Sequence, residues 1–219
     1  MTNSITIFSG PLSMFGAKVE MAAIEKGIVW ERVFVPFELA TLYEPKSIEV
    51  ARVYPKKQVP VLIHEDLEIF DSTQIFEYLE DLQPTPALWP QAIELRAVAR
   101  MLELKSDEVF FPKVVCCMPG RRSQMKDGEH GQAVAAIHEY FAEMNAVLEG
   151  REFLAGNFCY ADIAFYSAQF FARFLRQPPS ADLKNLERWR QSMNQRESVR
   201  RVMGEMASYL TAHDIEAEI

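Results

Sequence analysis

The sequence predicts an α/β domain followed by an all-helical domain, and three observations lead to that prediction. Residues 1–82 alternate strand-like and helix-like segments, whereas residues 93–219 show helical periodicity throughout. Between them the stretch QPTPALWPQA, residues 83–92, carries three prolines, which cannot continue a helix and suit a semi-rigid linker. We therefore expect domains at 1–82 and 93–219, joined by a linker at 83–92.

The first domain divides into seven segments whose order fixes the type of sheet. In order, they are a strand at Ser4–Ser9, a helix at Phe15–Lys26, a strand at Trp30–Val35, a helix at Glu44–Arg52, a hairpin of Val59–His64 and Glu68–Phe70, and a helix at Ser72–Leu82. Crossover connections require parallel strands and the hairpin requires an antiparallel pair. The pattern βαβαββα thus predicts a mixed four-stranded sheet with helices on both faces.

Composition excludes several classes of function. The chain of 219 residues has a formal net charge of -8, which argues against nucleic-acid binding because phosphate contacts need a concentrated positive patch. No apolar run approaches the length of a membrane span, and the N-terminus lacks a signal-peptide pattern, so a cytoplasmic protein without membrane association is expected. The four histidines are dispersed and no metal-ligand spacing occurs, so no metal is expected.

Five stretches together resemble a known family. They are SGPLSMFGAKV, YPKKQVPVL, FDS, the proline-rich linker and FLAGNFCYADIAF. With these motifs, the first domain resembles the thioredoxin-like fold, and the whole chain is similar to a cytosolic glutathione transferase. The proline motif combined with FDS is the more specific part of the resemblance.

The resemblance assigns a role to the proline before the hairpin. In the family, a cis peptide bond precedes the proline equivalent to Pro60 and turns the backbone of the residue at Val59 toward the cysteinyl part of glutathione. Gln58 matches a position that reaches the glycine end of glutathione. The alternative is that Pro60 merely begins a strand, a position that proline tolerates.

Asp71 and Ser72 lie where a strand gives way to a helix, so both side chains and the free N–H groups of the helix face one small space. In the family, the residues at these positions hold the γ-glutamyl end of glutathione. The alternative is that Asp71 caps the helix, with Gln74 completing a capping box. Both roles are compatible.

The first turn indicates the type of transferase. Ile7 and Phe8 stand where tyrosine-type members carry their catalytic tyrosine, and the turn contains no cysteine. Ser13 lies six residues before Val19, the spacing of the serine-type theta and phi members, so the resemblance implies that Ser13 hydrogen-bonds the glutathione thiolate. The alternative is that Ser13 is only the N-cap of the first helix.

The second domain contributes a folding motif and candidates for the second-substrate pocket. Cys159 and Asp162 match the family's N-capping box, with a thiol in place of the usual hydroxyl. Pro112 should kink or break its helix. The candidate pocket residues are Leu12, Phe15, Phe110, Phe111, Val114 and Cys117. Core packing is the alternative for the aromatic run Phe110-Phe111.

The resemblance therefore implies a homodimeric glutathione transferase of the detoxification type, with glutathione as co-substrate, and the sequence predicts no metal. It would activate the thiol for attack on a small hydrophobic electrophile, by conjugation, dehalogenation or ether cleavage. Two alternatives stay open. One is a non-catalytic, glutathione-transferase-like binding or regulatory protein, and the other is a glutathione-dependent isomerase or reductase.

Overall fold

The computed structural model describes residues 4–122 and 124–219, and its N-terminal part has the predicted order of strands and helices. The elements are β1 Ile5–Ser9, α1 Met14–Glu25, β2 Trp30–Phe34, α2 Ile48–Val53, β3 Val61–His64, β4 Leu67–Phe70 and α3 Ser72–Leu82. The main difference concerns α2, which was expected to begin at Glu44. It begins four residues later because Pro45 disfavours helical backbone before it and Ser47 caps the helix by accepting from Val50 N–H.

The strands form one mixed sheet in the order β2-β1-β3-β4. β1 runs parallel to β2 and antiparallel to β3, and β3 and β4 form the antiparallel hairpin. Ile7 and Leu62 pair on the central strands and are fully buried. Helices α1 and α3 cover one face through Val19 and Leu79, whereas Val50 of α2 belongs to a smaller cluster against the other face. The predicted mixed sheet with helices on both faces is confirmed.

The C-terminal part is helical, as predicted. Its helices are α4 Ile93–Lys105, α5 Phe111–Val115, α6 Pro119–Arg122, α7 Glu129–Val147, α8 Tyr160–Phe174, α9 Lys184–Asn194 and α10 Glu197–Thr211. Helix α8 is buried along nearly its whole length and forms the centre of the domain. Asp162 accepts from Cys159 N–H at 3.0 Å, so the expected capping interaction at its start is present.

A π-helical turn, Ser106–Phe110, joins α4 to α5. Pro112 lies in the first turn of α5 and has no N–H group to continue the regular hydrogen-bond ladder, so the helix widens before the proline and α5 begins at Phe111. The predicted interruption near Pro112 is confirmed. The turn also places Asp107 and Glu108 on the side of α4 that faces the first domain.

The two parts of the chain share a hydrophobic core. Met14 and Met21 of α1 and Phe76 of α3 pack in the same cluster as Trp89 and Tyr160. The ring of Phe76 stacks on that of Tyr160 with centroids 3.6 Å apart. Within the described residues, none of the helices is both long and apolar enough to cross a membrane.

Candidate functional site

A cleft of about 250 Å³ opens between the sheet domain and α4. From the first domain it is lined by Phe15, Tyr54, Lys56, Gln58, Val59, Pro60, Asp71, Ser72, Thr73 and Gln74. From the helical domain it is lined by Glu103, Leu104, Asp107 and Glu108. All five residues expected to bind glutathione from the first domain therefore lie on one cleft.

The cleft wall at the hairpin is built by the segment before β3. The peptide bond between Val59 and Pro60 is cis, as the sequence predicted. Directly after it, Val61 pairs with Phe8 of β1 and with Phe70 of β4, which holds this segment at the edge of the cleft. The strand pairing thus positions Val59 and Pro60 against the ends of β4 and α3.

Asp71 combines the two roles considered for it. Its Oδ1 accepts from Thr73 N–H at 3.0 Å and from Gln74 N–H at 3.3 Å, so Asp71 caps α3. The same residue lines the cleft and has a φ of 73°, a left-handed backbone conformation that costs about 1–3 kcal/mol in a residue other than glycine. Ser72 follows at the N-terminus of α3, a position suited to an anion.

The opposite wall contains an ion-pair cluster that the sequence did not reveal. Lys18 of α1 is fully buried and donates to Glu103 Oε1 at 2.7 Å and to Asp107 Oδ2. Thr73 Oγ1 donates to the same oxygen of Glu103 at 2.7 Å. The cluster therefore connects α1, α3 and α4 directly beneath the cleft.

The cluster perturbs the titration of its members. Burial raises the pKa of Asp107 to about 7; Lys18 opposes that increase, and Glu103 adds to it. Burial lowers the pKa of Lys18, but Asp107, Tyr160 and Glu103 together raise it above its ordinary value. Asp107 lines the cleft, yet its Oδ1 is buried and has no hydrogen-bond partner in the part of the chain that the structure describes. Such an oxygen is an available acceptor for a ligand.

A sequence signal for this cluster existed in the first helix. Lys18 lies beside Ala17 and Val19, among positions of α1 that face the core. Because a lysine is rarely fully buried unless it is paired, a lysine at such a position predicts a buried acidic partner. That partner belongs to a helix about 85 residues away in the chain, and its identity follows only from the packing.

Ser13 is the N-cap of α1, and its Oγ accepts from Gly16 N–H at 2.9 Å. Its exposed fraction is 5%, and it lies outside the set of described residues that line the cleft. Phe15, two residues later, does line the cleft. Ser13 therefore lies at the positive end of a 12-residue helix, two residues before a side chain that lines the cleft.

The residues expected to form the second-substrate pocket separate into two groups. Phe15 lines the cleft, and its ring meets that of Phe111 edge-on at 5.5 Å. Leu12 and Cys117 are partly buried at the edge of the core. Phe110 and Val114, however, lie inside the core with exposed fractions of 1% and 0%. Phe110 stacks on Tyr140 with ring centroids 4.7 Å apart, because the π-helical turn directs it toward α7.

Metal ligation finds no support in the part of the chain that the structure describes. Nowhere in 4–122 and 124–219 do three or more His, Cys, Asp or Glu side chains form a group able to hold a metal ion. Four carboxylates border the cleft, those of Asp71, Glu103, Asp107 and Glu108; Asp71 caps a helix, and Glu103 and Asp107 are paired with Lys18.

Comparison with known proteins gives family matches on both domains. Residues 7–87 match the profile described as Glutathione S-transferase, N-terminal domain, and residues 109–197 match the Glutathione S-transferase, C-terminal domain. Glutathione S-transferase 2 of Saccharomyces cerevisiae is 28% identical over 216 residues, covering 93% of this chain and 91% of that protein.

A stringent starvation protein A homolog of Pasteurella multocida is also similar. It is 26% identical over 135 residues, which cover 62% of this chain and only 58% of that protein. Among solved structures, a glutathione S-transferase of Methylobacillus flagellatus with GSH bound superposes with a TM-score of 0.78. It is 26% identical, and the match covers 91% of this chain and 98% of that one. With profile matches on both domains and this shared fold, the chain belongs to the glutathione S-transferase superfamily.

Proposed function

We propose that this protein is a glutathione transferase that activates the glutathione thiol for attack on a small hydrophobic electrophile. One observation carries the proposal: the cis Val59-Pro60 segment and the Asp71-Ser72 pair, which are separate in sequence, line the same cleft. A peptide-like ligand with charged ends fits this arrangement, since one wall offers backbone groups and the other end offers a carboxylate beside a helix N-terminus.

Each residue of the cleft then has a chemical task in binding. Val59 presents its backbone to the cysteinyl part of glutathione. Asp71 pairs with the ammonium group of the γ-glutamyl end, while Ser72 and the first N–H groups of α3 bind the adjacent carboxylate. Gln58 hydrogen-bonds the glycine end, where the ammonium group of Lys56 adds positive charge.

Ser13 is the proposed catalytic residue of the first turn. A free cysteine thiol has a pKa of about 8.5, so little thiolate exists at neutral pH. A hydrogen bond from the Ser13 hydroxyl and the positive end of α1 stabilise the thiolate and lower that pKa. The thiolate then attacks the electrophile, which the apolar ring of Phe15 on the cleft wall holds nearby. As a further part of this proposal, the protein is a cytoplasmic homodimer.

A second candidate function is a non-catalytic binding or regulatory role. Two observations favour it: the similarity to a stringent starvation protein A homolog, and the low exposure of Ser13 together with its occupied capping bond. In that case the cleft binds glutathione or a related peptide without activating a thiol.

The test is calorimetric binding of glutathione together with conjugation of a general aromatic halide. For Ser72→Ala we expect binding weakened about tenfold, because a hydrogen bond to a charged group is lost. Ser13→Ala should retain binding while the rate falls roughly 10- to 100-fold. Ser180→Ala, on an exposed loop, is the matched control and should behave as wild type. Wild-type protein that fails to bind glutathione would refute the proposal, and binding without conjugation would favour the second candidate.

A further inference from the structure

Tyr43, in the loop between β2 and α2, lies directly on the first turn. A Cβ atom placed on Gly10 would stand 2.4 Å from Tyr43 Cε1 and 2.6 Å from its hydroxyl oxygen. Real Cβ atoms do not approach other atoms so closely, so the ring can occupy this place only because residue 10 is glycine. The ring of Phe37 packs on Tyr43 at a centroid distance of 4.7 Å. The Tyr43 side chain is therefore held against the turn that carries Ser13.

The Tyr43 hydroxyl is buried, and it makes no hydrogen bond of ordinary geometry with any described residue. A buried polar group in this state is costly and calls for an explanation, because nearly all such groups in folded proteins are paired. Burial raises the pKa of Tyr43, although the Leu12 backbone and the Ser13 side chain act in the opposite direction. Tyr43 therefore keeps its proton at neutral pH, and the polar groups that act on its hydroxyl are the Leu12 backbone and the Ser13 side chain.

The Tyr43 hydroxyl is near the first turn, where the proposed reaction needs a hydrogen-bond donor for the glutathione sulfur. Ser13 Oγ already accepts from Gly16 N–H, so its oxygen is fixed at the start of α1. Tyr43 and Val59 pack against the same small cluster, and Val59 lines the cleft. The Tyr43 hydroxyl thus lies close to Ser13, the residue that would stabilise the sulfur of glutathione.

We propose that Tyr43 is a second catalytic residue, whose hydroxyl donates a hydrogen bond to the sulfur atom beside Ser13. This inference rests on the proposed function. The glutathione S–H group loses its proton to solvent, and the resulting thiolate accepts hydrogen bonds from Ser13 and Tyr43. No bond of either residue breaks. The donor comes from the β2–α2 loop, a different element from the first turn, so two parts of the first domain cooperate in thiol activation.

The decisive variant is Tyr43→Phe, which keeps the ring and its contact with Phe37 but removes the hydroxyl. Thiolate formation by bound glutathione is followed by its ultraviolet absorbance as a function of pH, together with kcat/KM and calorimetric affinity. We expect the pKa of the bound thiol to rise by roughly one unit and kcat/KM at neutral pH to fall about tenfold, with affinity nearly unchanged. The control is Tyr78→Phe, whose hydroxyl instead hydrogen-bonds His64 Nδ1; it should match wild type.

Gly10→Ala gives a second measurement that keeps every hydroxyl. Its methyl group would displace the Tyr43 ring, so the variant should show the same rise in thiol pKa as Tyr43→Phe. Circular dichroism and thermal melting establish that each variant is folded.

The outcomes separate this inference from the proposed function. If wild type ionises bound glutathione and Tyr43→Phe leaves the thiol pKa and rate unchanged, the role of Tyr43 is refuted while the transferase proposal stands. An increased rate in Tyr43→Phe would also refute it, since Tyr43 would then obstruct the sulfur position. If wild type neither binds nor ionises glutathione, the proposed function fails and this inference fails with it.

Discussion

Asp162 in α8 and Asp107 beside the cleft are both buried carboxylates, but their oxygens are satisfied to different degrees. Asp162 Oδ1 accepts from Leu154 N–H and from Trp189 Nε1, each at 2.9 Å, and Oδ2 accepts from Cys159 N–H at 3.0 Å. Asp107 Oδ2 is paired with Lys18, whereas Oδ1 finds no hydrogen-bond partner among the described residues. Complete hydrogen bonding identifies a group that stabilises the fold, and an unpaired oxygen at a cleft identifies one available to a ligand.

The largest effect should follow from Asp162→Ala. Four buried donors, three N–H groups and the Cys159 thiol, would lose their acceptor at once, and we expect the free energy of unfolding to fall by roughly 3–5 kcal/mol. Urea denaturation measures the loss. Asp182→Ala, on an exposed loop, is the control and should leave stability unchanged. A loss below about 1 kcal/mol for Asp162→Ala would contradict the structural role assigned to this carboxylate.

A smaller effect should distinguish the two carboxylates by pH. Burial raises the pKa of Asp107 from its ordinary 3.8 to about 7 in the folded protein, so the folded state binds more protons than the unfolded state between those values. Stability contributed by the protonated form is therefore present at low pH and is lost as pH rises through about 4–7. Asp107→Asn removes this dependence. The unfolding free energy of Asp107→Asn, taken relative to that of wild type, should therefore increase by roughly 1–2 kcal/mol as the pH rises from 5 to 7.

Denaturation at several pH values provides the test, and Asp162→Asn provides the comparison. Burial raises the pKa of Asp162 to only about 6. Asp162→Asn should therefore flatten the dependence of stability on pH only up to about pH 6, one unit below the limit expected for Asp107→Asn. Parallel pH profiles for wild type and Asp107→Asn would show that Asp107 does not titrate in this range.

The smallest effect concerns the cap that Asp162 completes. Cys159 holds the N-cap position of α8, where a thiol is a weak acceptor. Cys159→Ser supplies a hydroxyl that accepts more strongly from Asp162 N–H, and we expect a gain of about 0.5–1 kcal/mol. Thermal melting detects such a change, with the half-buried Cys116→Ser as a control that should not shift. Destabilisation by Cys159→Ser would mean that thiol packing outweighs the cap.

The first wall of the cleft was predictable because its residues carry local signals. Only a few consecutive residues are needed to recognise a proline before a hairpin strand, or an acid-serine pair where a strand meets a helix. The structure brings Gln58, Val59, Pro60, Asp71 and Ser72 to one cleft because β3 and β4 pair in the register that the hairpin imposes.

The residues of the second wall were not predictable, because they depend on the rotation of α4 about its axis and on the path of the β2–α2 loop. Glu103 and Asp107 face the cleft, while Phe110, a few residues later, faces the core. The π-helical turn changes the helical phase between them, and periodicity alone does not reveal such a turn. Tyr43 likewise has no signal in the sequence, because its proposed role depends on the close approach of its ring to Gly10.

The sequence by itself determined the two-part architecture, the order of strands and helices along the chain and the residues of one cleft wall, because periodicity, turn residues and caps act over short distances along the chain. Tertiary structure alone decided the partners of Lys18, the depth of Ser13 and the position of Tyr43. Those features arise where α1, α4 and the β2–α2 loop pack together, and contacts between distant segments are set by the free energy of the whole fold.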